Sequence, residues 1–320
     1  MKTPLRYPGG KSRAIEHILP LIPEDITELC SPFLGGGSVE LAVAERGTTV
    51  HAYDIFEPLV WLWNALLSDP EQLATCADSY RVHHPDFFTK KDKKPIRGLL
   101  KEDFLRFRKE LHQADKFSFE NAAKVYAINR SSFSGATFSG GWSNQAACRR
   151  FTDSSIERVR KFREPNITVN CEDFKTSINK HPDAFLYCDP PYLLGADKDK
   201  LYGDKGNTHS GFDHKALYDI LSQRSGWVLS YNNCQEIRDL YDDYEIREAE
   251  WAMGMSNVDG AALRPVRAAL ERIDNDLKAL IRNENLLAKE VARCARILLN
   301  ECWDANKKKM AKSSEILIIG

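Results

Sequence analysis

The sequence predicts an α/β protein built on a largely parallel, doubly wound sheet. Three observations carry this expectation. Short apolar segments at residues 27–31, 48–53, 185–188 and 227–231 alternate with stretches of helical periodicity. A glycine-rich turn, PFLGGGS, stands between the first of these strands and the helix after it. The apolar strand at 185–188 runs straight into Asp-Pro-Pro-Tyr at 189–192. Strands alternating with helices favour a parallel sheet covered on both faces.

Each element has a local reason. TELCS (27–31) and TTVHAY (48–53) are short runs with strand character, and between them SVELAVAERG opens after the glycines and stops near Gly47. A second αβ run covers 166–250: NITVNCEDF, then AFLYC ending before Asp189, the helix DHKALYDILSQ, and the strand WVLSY. Residues 76–165 interrupt this alternation. They are helix-rich over GLLKEDFLRFRKELHQ and turn-rich over NRSSFSGATFSGGWSN, and they predict an inserted second domain. Towards the C-terminus an apolar register runs through Leu263, Val266, Leu270, Ile273, Leu277 and Leu280, and resumes at Leu287, Val291, Cys294 and Leu298. One helix over 261–303 would be roughly 65 Å long at 1.5 Å per residue. Strands expected at 244–251 and 315–319 pair in one sheet, so the chain must return. Two antiparallel arms turning near 282–285 satisfy that, with a leftover apolar stripe available for a homodimer or a DNA clamp. The expected divisions are therefore 1–75, 76–165, 166–258, 259–311 and 312–320.

Composition removes several classes. With 320 residues, 42% of them apolar and 28% charged, the chain can bury a full core and is neither disordered nor a disulfide miniprotein. No apolar run approaches the ~20 residues a membrane helix needs, and the start lacks a hydrophobic leader. A soluble, cytoplasmic protein is expected. Eight scattered cysteines contain no C-x-x-C, against a zinc knuckle or a redox dithiol. The net charge of −1 conceals an asymmetry: residues 81–165 hold 19 Lys/Arg against 10 Asp/Glu, and the remainder 26 against 36. A basic segment on an acidic body points to a polyanion-binding face.

The chemistry lies in three motifs. Gly35, Gly36 and Gly37 follow a strand and open a helix, where a nucleotide can approach backbone closely. Glu40 stands where a dinucleotide G-x-G-x-x-G needs its last glycine. Asp54 ends the next strand, placed to accept ribose hydroxyls, so the pair reads as an adenosine-containing ligand. Gly10-Lys11-Ser12 mimics a phosphate loop, but Leu5 occupies the position of its first glycine. Asp189-Pro190-Pro191-Tyr192 is the sharpest signal. The two prolines stiffen the backbone and remove N–H donors, leaving outward carbonyls as acceptors. With a carboxylate and an aromatic ring, the motif suits a planar exocyclic amine at the carboxyl end of a central strand.

These motifs together resemble the S-adenosylmethionine-dependent DNA adenine-N6 methyltransferases of the Dam-like class, in alpha-group order. Tyr7-Pro8-Gly9-Gly10-Lys11 is similar to the N-terminal cofactor motif, Pro32 to Ser38 to the glycine loop, and Asp54 to the ribose-binding acid. Asp189 to Tyr192 resembles the catalytic motif, Leu229 to Asn232 a later strand motif, and Glu315 to Ile318 the terminal strand. The resemblance implies a Rossmann-like class I methyltransferase sheet with an inserted helix-rich recognition domain; the C-terminal helical hairpin insertion, expected from the apolar register, is not part of the family's minimal plan. It implies S-adenosyl-L-methionine bound by Tyr7, Lys11, Pro32, Phe33, Gly35, Gly37, Asp54 and Asp189, catalysis by Asp189, Pro190, Pro191 and Tyr192, and DNA as partner, without a metal. The basic insertion takes the recognition position. There Lys90, Lys91, Lys93, Lys94, Arg149 and Arg150 are candidate phosphate contacts, and Asn129, Arg130 and Ser134, in an N-R-x-x-F-x-G element, candidate base or flipped-strand contacts. The chain departs from the family at Ser31, where relatives carry Glu or Asp near the cofactor's methionine amino group.

The chemistry of the residues agrees. Adenine N6 is a poor nucleophile, and acceptors at Asp189 and the Pro190 carbonyl favour localising its lone pair. In this reading the Tyr192 ring stacks on the base and its hydroxyl has no task, so Tyr192→Phe is expected to be nearly silent. Related short motifs serve exocyclic amines generally, which leaves cytosine-N4 or RNA adenine methylation, and a nucleic-acid-binding pseudoenzyme, as the competing readings.

Overall fold

The computed structural model describes residues 2–193, 211–249 and 315–320. The strands are β1 (Glu28–Ser31), β2 (Thr49–Asp54), β3 (Val82–Phe88), β4 (Pro95–Gly98), β5 (Ile167–Cys171), β6 (Phe185–Cys188), β7 (Trp227–Asn232), β8 (Glu245–Ala249) and β9 (Glu315–Ile319). The helices are α1 (Ile15–Ile18), α2 (Ser38–Ala44), α3 (Glu57–Ser68), α4 (Pro70–Ser79), α5 (Lys101–Gln113), α6 (Phe119–Ser131), α7 (Asn144–Arg149), α8 (Asp153–Arg160), α9 (Phe174–Lys180), α10 (His214–Leu221) and α11 (Gln235–Leu240).

Seven strands form one sheet in the order β5-β2-β1-β6-β7-β9-β8. The first five are mutually parallel, and β9 runs antiparallel between β7 and β8. The sheet is Rossmann-like, as expected. Helices on both faces bury the central strands, which explains why β6 reads as an unbroken apolar run rather than an alternation. Leu186, Tyr187 and Cys188 are buried there, next to Leu229, Tyr231 and Ile318. The anticipated pairing of 244–251 with 315–319 is present as β8 with β9, Glu245 opposite Ile319.

Residues 76–165 share one compact unit with the other described residues. Within it α6, whose sequence AAKVYAIN is buried almost throughout, packs against α3 and α4. Ser118 caps its start, the side chain accepting from Asn121 N at 3.0 Å. Thr152 and Ser155 form a reciprocal capping box on α8, which packs against α4. The β3–β4 hairpin escapes sequence reading: β3 carries Pro85 and two histidines, its first five residues are exposed, and no apolar alternation announces it. The expected helical hairpin at 259–311 lies outside the described residues.

Candidate active site

The glycine loop joins the carboxyl end of β1 to α2. Gly35 and Gly37 adopt φ of +48° and +65°, in the left-handed region that favours glycine. A Cβ would also collide: at Gly35 it would stand 2.9 Å from the Tyr7 ring, and at Gly37 2.5 Å from Trp63. Tyr7 therefore underlies the loop, and Trp63 Nε1 donates to Gly35 O at 3.1 Å. Asp54 at the end of β2 accepts from Gly35 N (3.0 Å) and Phe56 N (2.9 Å), one bond on each oxygen. Burial pushes its carboxyl up, and these amides pull it back. Pro32 is buried, and Phe33 stacks on Phe174 with ring centroids 5.8 Å apart. Ile55, directly after Asp54, is 66% exposed. Phe174, Trp63 and Ile55 were not singled out from sequence; Phe174 follows β5 at the same sheet end as Asp54, which only strand order reveals. An open glycine turn, an acid with acceptor capacity left on both oxygens and an exposed apolar side chain fit an adenosine-bearing cofactor.

The Asp-Pro-Pro-Tyr motif leaves β6 at Asp189. Its Oδ1 receives Ser230 Oγ at 2.8 Å and the Lys11 ammonium at 2.8 Å. Lys11 is 5% exposed and also reaches Tyr192 Oη (2.7 Å), Gly9 O (3.2 Å) and Glu315 Oε2 (3.6 Å). Burial alone would lower its pKa, but Asp189 and Glu315 more than offset this, so the ammonium is held charged. Sequence reading placed Lys11 with the cofactor; the structure directs its ammonium into the catalytic motif. The Tyr192 hydroxyl donates to Glu315 Oε2 at 2.8 Å. The expectation that this hydroxyl is idle is corrected, since it bridges the lysine and the glutamate. Glu315 was also missed as a site residue. It opens β9, and because β9 is antiparallel to β7 its first residue lies opposite Asn232, the last residue of β7. Pro190 is buried and Pro191 half-buried, and Asn232 Nδ2 holds the following turn through Leu193 O at 2.9 Å. Ser31 at the end of β1 is buried and donates to Glu40 Oε1 at 2.6 Å.

The recognition candidates separate into two groups. Asn129 and Arg130, expected as base or flipped-strand contacts, lie buried inside α6 at 2% and 7% exposure. Asn129 clamps the backbone of Arg6 through both ends of its amide, accepting from its N–H at 3.0 Å and donating to its carbonyl at 2.6 Å. Arg130 donates to the carbonyls of Arg150 and Pro4. Ser134 stays half-buried at the loop tip with φ +54°, beside the exposed Phe133. Lys90, Lys91, Lys93 and Lys94 are exposed around the β3–β4 turn, and Arg150 is exposed beyond α7. Lys94 pairs with Asp92 at 3.3 Å. Arg149 donates to Phe88 O at 3.3 Å, and the Lys93 ammonium sits 4.5 Å over the Phe88 ring. Elsewhere in the segment some cations are paired: Arg81 and Arg97 share Asp78 and Asp153, and Lys124 meets Glu110 and Glu120. Lys101, Lys109, Lys116 and Arg158 are exposed, as the hairpin lysines are. Among the described residues, Glu28, His51 and His181 offer clustered metal-ligand atoms. The two rings stack 18° from parallel, and His181 Nε2 is 2.7 Å from Tyr53 Oη.

Over residues 7–255 the chain matches the D12 class N6 adenine-specific DNA methyltransferases. It belongs to that family. As a D12 methyltransferase it uses S-adenosylmethionine to methylate adenine in DNA. It is 24% identical over 264 residues to Type II methyltransferase M1.LlaDCHI of Lactococcus lactis subsp. cremoris, covering 77% of this chain and 86% of that protein. It is 27% identical over 226 residues to the DNA adenine methylase of Vibrio cholerae serotype O1, covering 68% and 74% respectively. No helix among the described residues is long and apolar enough to cross a membrane.

Proposed function

We propose that this D12 methyltransferase turns one adenine out of a DNA duplex and presents its N6 amine to the corner built by Asp189, Pro190, Pro191 and Tyr192, in the cytoplasm, where its DNA is at hand. Asp189 carries the reading: it follows a buried central strand and is held on Oδ1 by both Lys11 and Ser230. Its Oδ2 and the Pro190 carbonyl accept the two N–H bonds of the amine. Those bonds favour a localised nitrogen lone pair as the centre becomes tetrahedral. The bound cofactor supplies a methyl group on a sulfonium. The chain's task is to hold the amine in line with that group, which supplies much of the rate by proximity. A base inside a duplex cannot reach this corner, and extruding it costs a few kcal/mol. Tritium transfer from labelled cofactor to duplex DNA, followed by nucleoside analysis, tests the reading. Label in N6-methyladenine is expected; label in N4-methylcytosine, or transfer to RNA alone, overturns it.

Three results are expected around this site. Asp54→Ala should weaken cofactor binding by about 1.5–3 kcal/mol, the worth of charged hydrogen bonds, and calorimetry on the folded variant reads it directly. Tyr192→Phe removes the hydroxyl that bridges Lys11 and Glu315, so turnover should fall by about tenfold with the stacking surface intact; unchanged turnover would leave the hydroxyl without a role. The exposed hairpin lysines should contact phosphates. Replacing Lys90, Lys91, Lys93 and Lys94 with glutamine should flatten the dependence of log K on log salt by about 0.9 per lost contact. An unaltered slope would make the hairpin a solvated turn.

A further inference from the structure

Glu40 has no task in the chemistry above, yet its carboxyl is 2% exposed on the first turn of α2, directly after the glycine loop. The other acids of this region are held: Asp54 by two backbone amides, Asp189 by Lys11 and Ser230, Glu315 by Lys11 and Tyr192. Glu40 has the Ser31 hydroxyl and, among the described residues, no ion-paired cation. A carboxyl taken out of water without a counter-charge is costly in its ionised form. Burial accordingly pushes it up to about 7, the Ser31 bond pulling the other way. Two charges from other elements act on it in opposite senses, Asp189 after β6 and Lys11 from the N-terminal segment.

Strand order says what passes over it. The ribose end of the cofactor belongs at Asp54, on β2, and its sulfonium must face Asp189, on β6. In the sheet β1 lies between these two strands, and β1 ends at Ser31. The sulfonium is joined directly to C5′ of the ribose, so a cofactor held this way would carry its sulfur over the end of β1, and the methionine arm that branches from that sulfur would start beside the Ser31–Glu40 pair. We infer that Glu40, reaching back from α2 onto the end of β1, is the carboxylate that receives the α-ammonium of S-adenosylmethionine. The ammonium brings the cation the buried acid lacks, and its three N–H donors suit a carboxylate beside a hydroxyl. A glycine at this position, as in a dinucleotide loop, would leave the ammonium without that partner.

This inference rests on the cofactor pocket proposed above, and titration calorimetry separates the two. Glu40→Gln keeps the size and the acceptor for Ser31. It should raise the Kd of S-adenosylmethionine and of S-adenosylhomocysteine about 10- to 100-fold. Binding of 5′-methylthioadenosine, which has no amino-acid part, should stay within about twofold of wild type by the same reasoning. Near pH 7 wild type should release protons on binding S-adenosylmethionine, read from buffers of different ionisation enthalpy, and Glu40→Gln should release fewer. The S31D/E40Q double variant should recover affinity, because the carboxylate then enters from the strand. Unchanged S-adenosylmethionine affinity in Glu40→Gln, or equal weakening of all three ligands, overturns the inference. A wild-type chain that binds none of the three overturns the pocket itself.

Discussion

Asp189→Ala is expected to reduce methyl transfer to duplex DNA by about 10³-fold or more, at the upper end of what one electrostatic group contributes at a reacting centre. The carboxylate follows a buried strand, so the sheet fixes it and no mobile loop can substitute another acceptor. Asp189→Asn should be almost as inactive, although it keeps the volume and the Ser230 bond. An amide presents an acceptor on one side only, and its N–H₂ repels the amine that must be received. Cofactor affinity should survive in both variants, because the glycine loop and Asp54 are untouched. Single-turnover transfer of tritiated methyl groups, with calorimetry on the same samples, measures both quantities. Near-normal turnover in Asp189→Ala would remove the amine-accepting role from this motif.

Lys11→Met should have the second-largest effect, and it should show in stability and activity together. Removing the ammonium leaves Asp189 and the 2%-exposed Glu315 facing each other across the space it filled. Breaking a buried charge pair typically costs about 3–5 kcal/mol. Carboxylates without their cation hold protons to higher pH in the folded state than in the unfolded one. Their contribution to stability is then present in acid and lost as pH rises through the raised folded pKa. The variant should therefore be more stable to urea near pH 5 than near pH 8. In wild type the Lys11 pKa is raised, so the pair's contribution is complete below the unfolded lysine value and fades only in strong alkali. The acid limb of the rate–pH profile should move to higher pH in Lys11→Met, because catalysis needs an ionised acceptor. Equal stability at both pH values, with an unmoved acid limb, would reduce Lys11 to a packing residue.

Much of this site is written locally in the chain. The glycine turn, the acid ending β2 and the proline-stiffened motif ending β6 each depend on residues a few positions apart, so periodicity, turn chemistry and strand-end placement are enough to find them. The parallel sheet follows from the same short-range alternation. The β3–β4 hairpin is the local element that stayed hidden, because an exposed ribbon with proline and histidine carries no apolar period.

The partners of these side chains are a different matter. Strand order brings Lys11, Asp189, Tyr192 and Glu315 together from the two ends and the middle of the chain, and the antiparallel entry of β9 puts Glu315 rather than Ile319 at the catalytic end. Burial, too, is decided in three dimensions. Asn129 and Arg130 look like surface residues in the sequence, but α6 packs on α3 and α4 and buries them, with hydrogen bonds to backbone groups of Arg6, Pro4 and Arg150 and to the Thr137 hydroxyl. Ser31 and Glu40 are nine positions apart and unremarkable in sequence, yet α2 turns back over β1 and makes them one hydrogen-bonded pair. Local sequence therefore determined which chemical groups the sheet end carries. Tertiary structure alone decided which charges are neutralised and which buried carboxyl has no ion-paired cation among the described residues, because desolvation and Coulomb energy depend on distances the chain sets only when it closes.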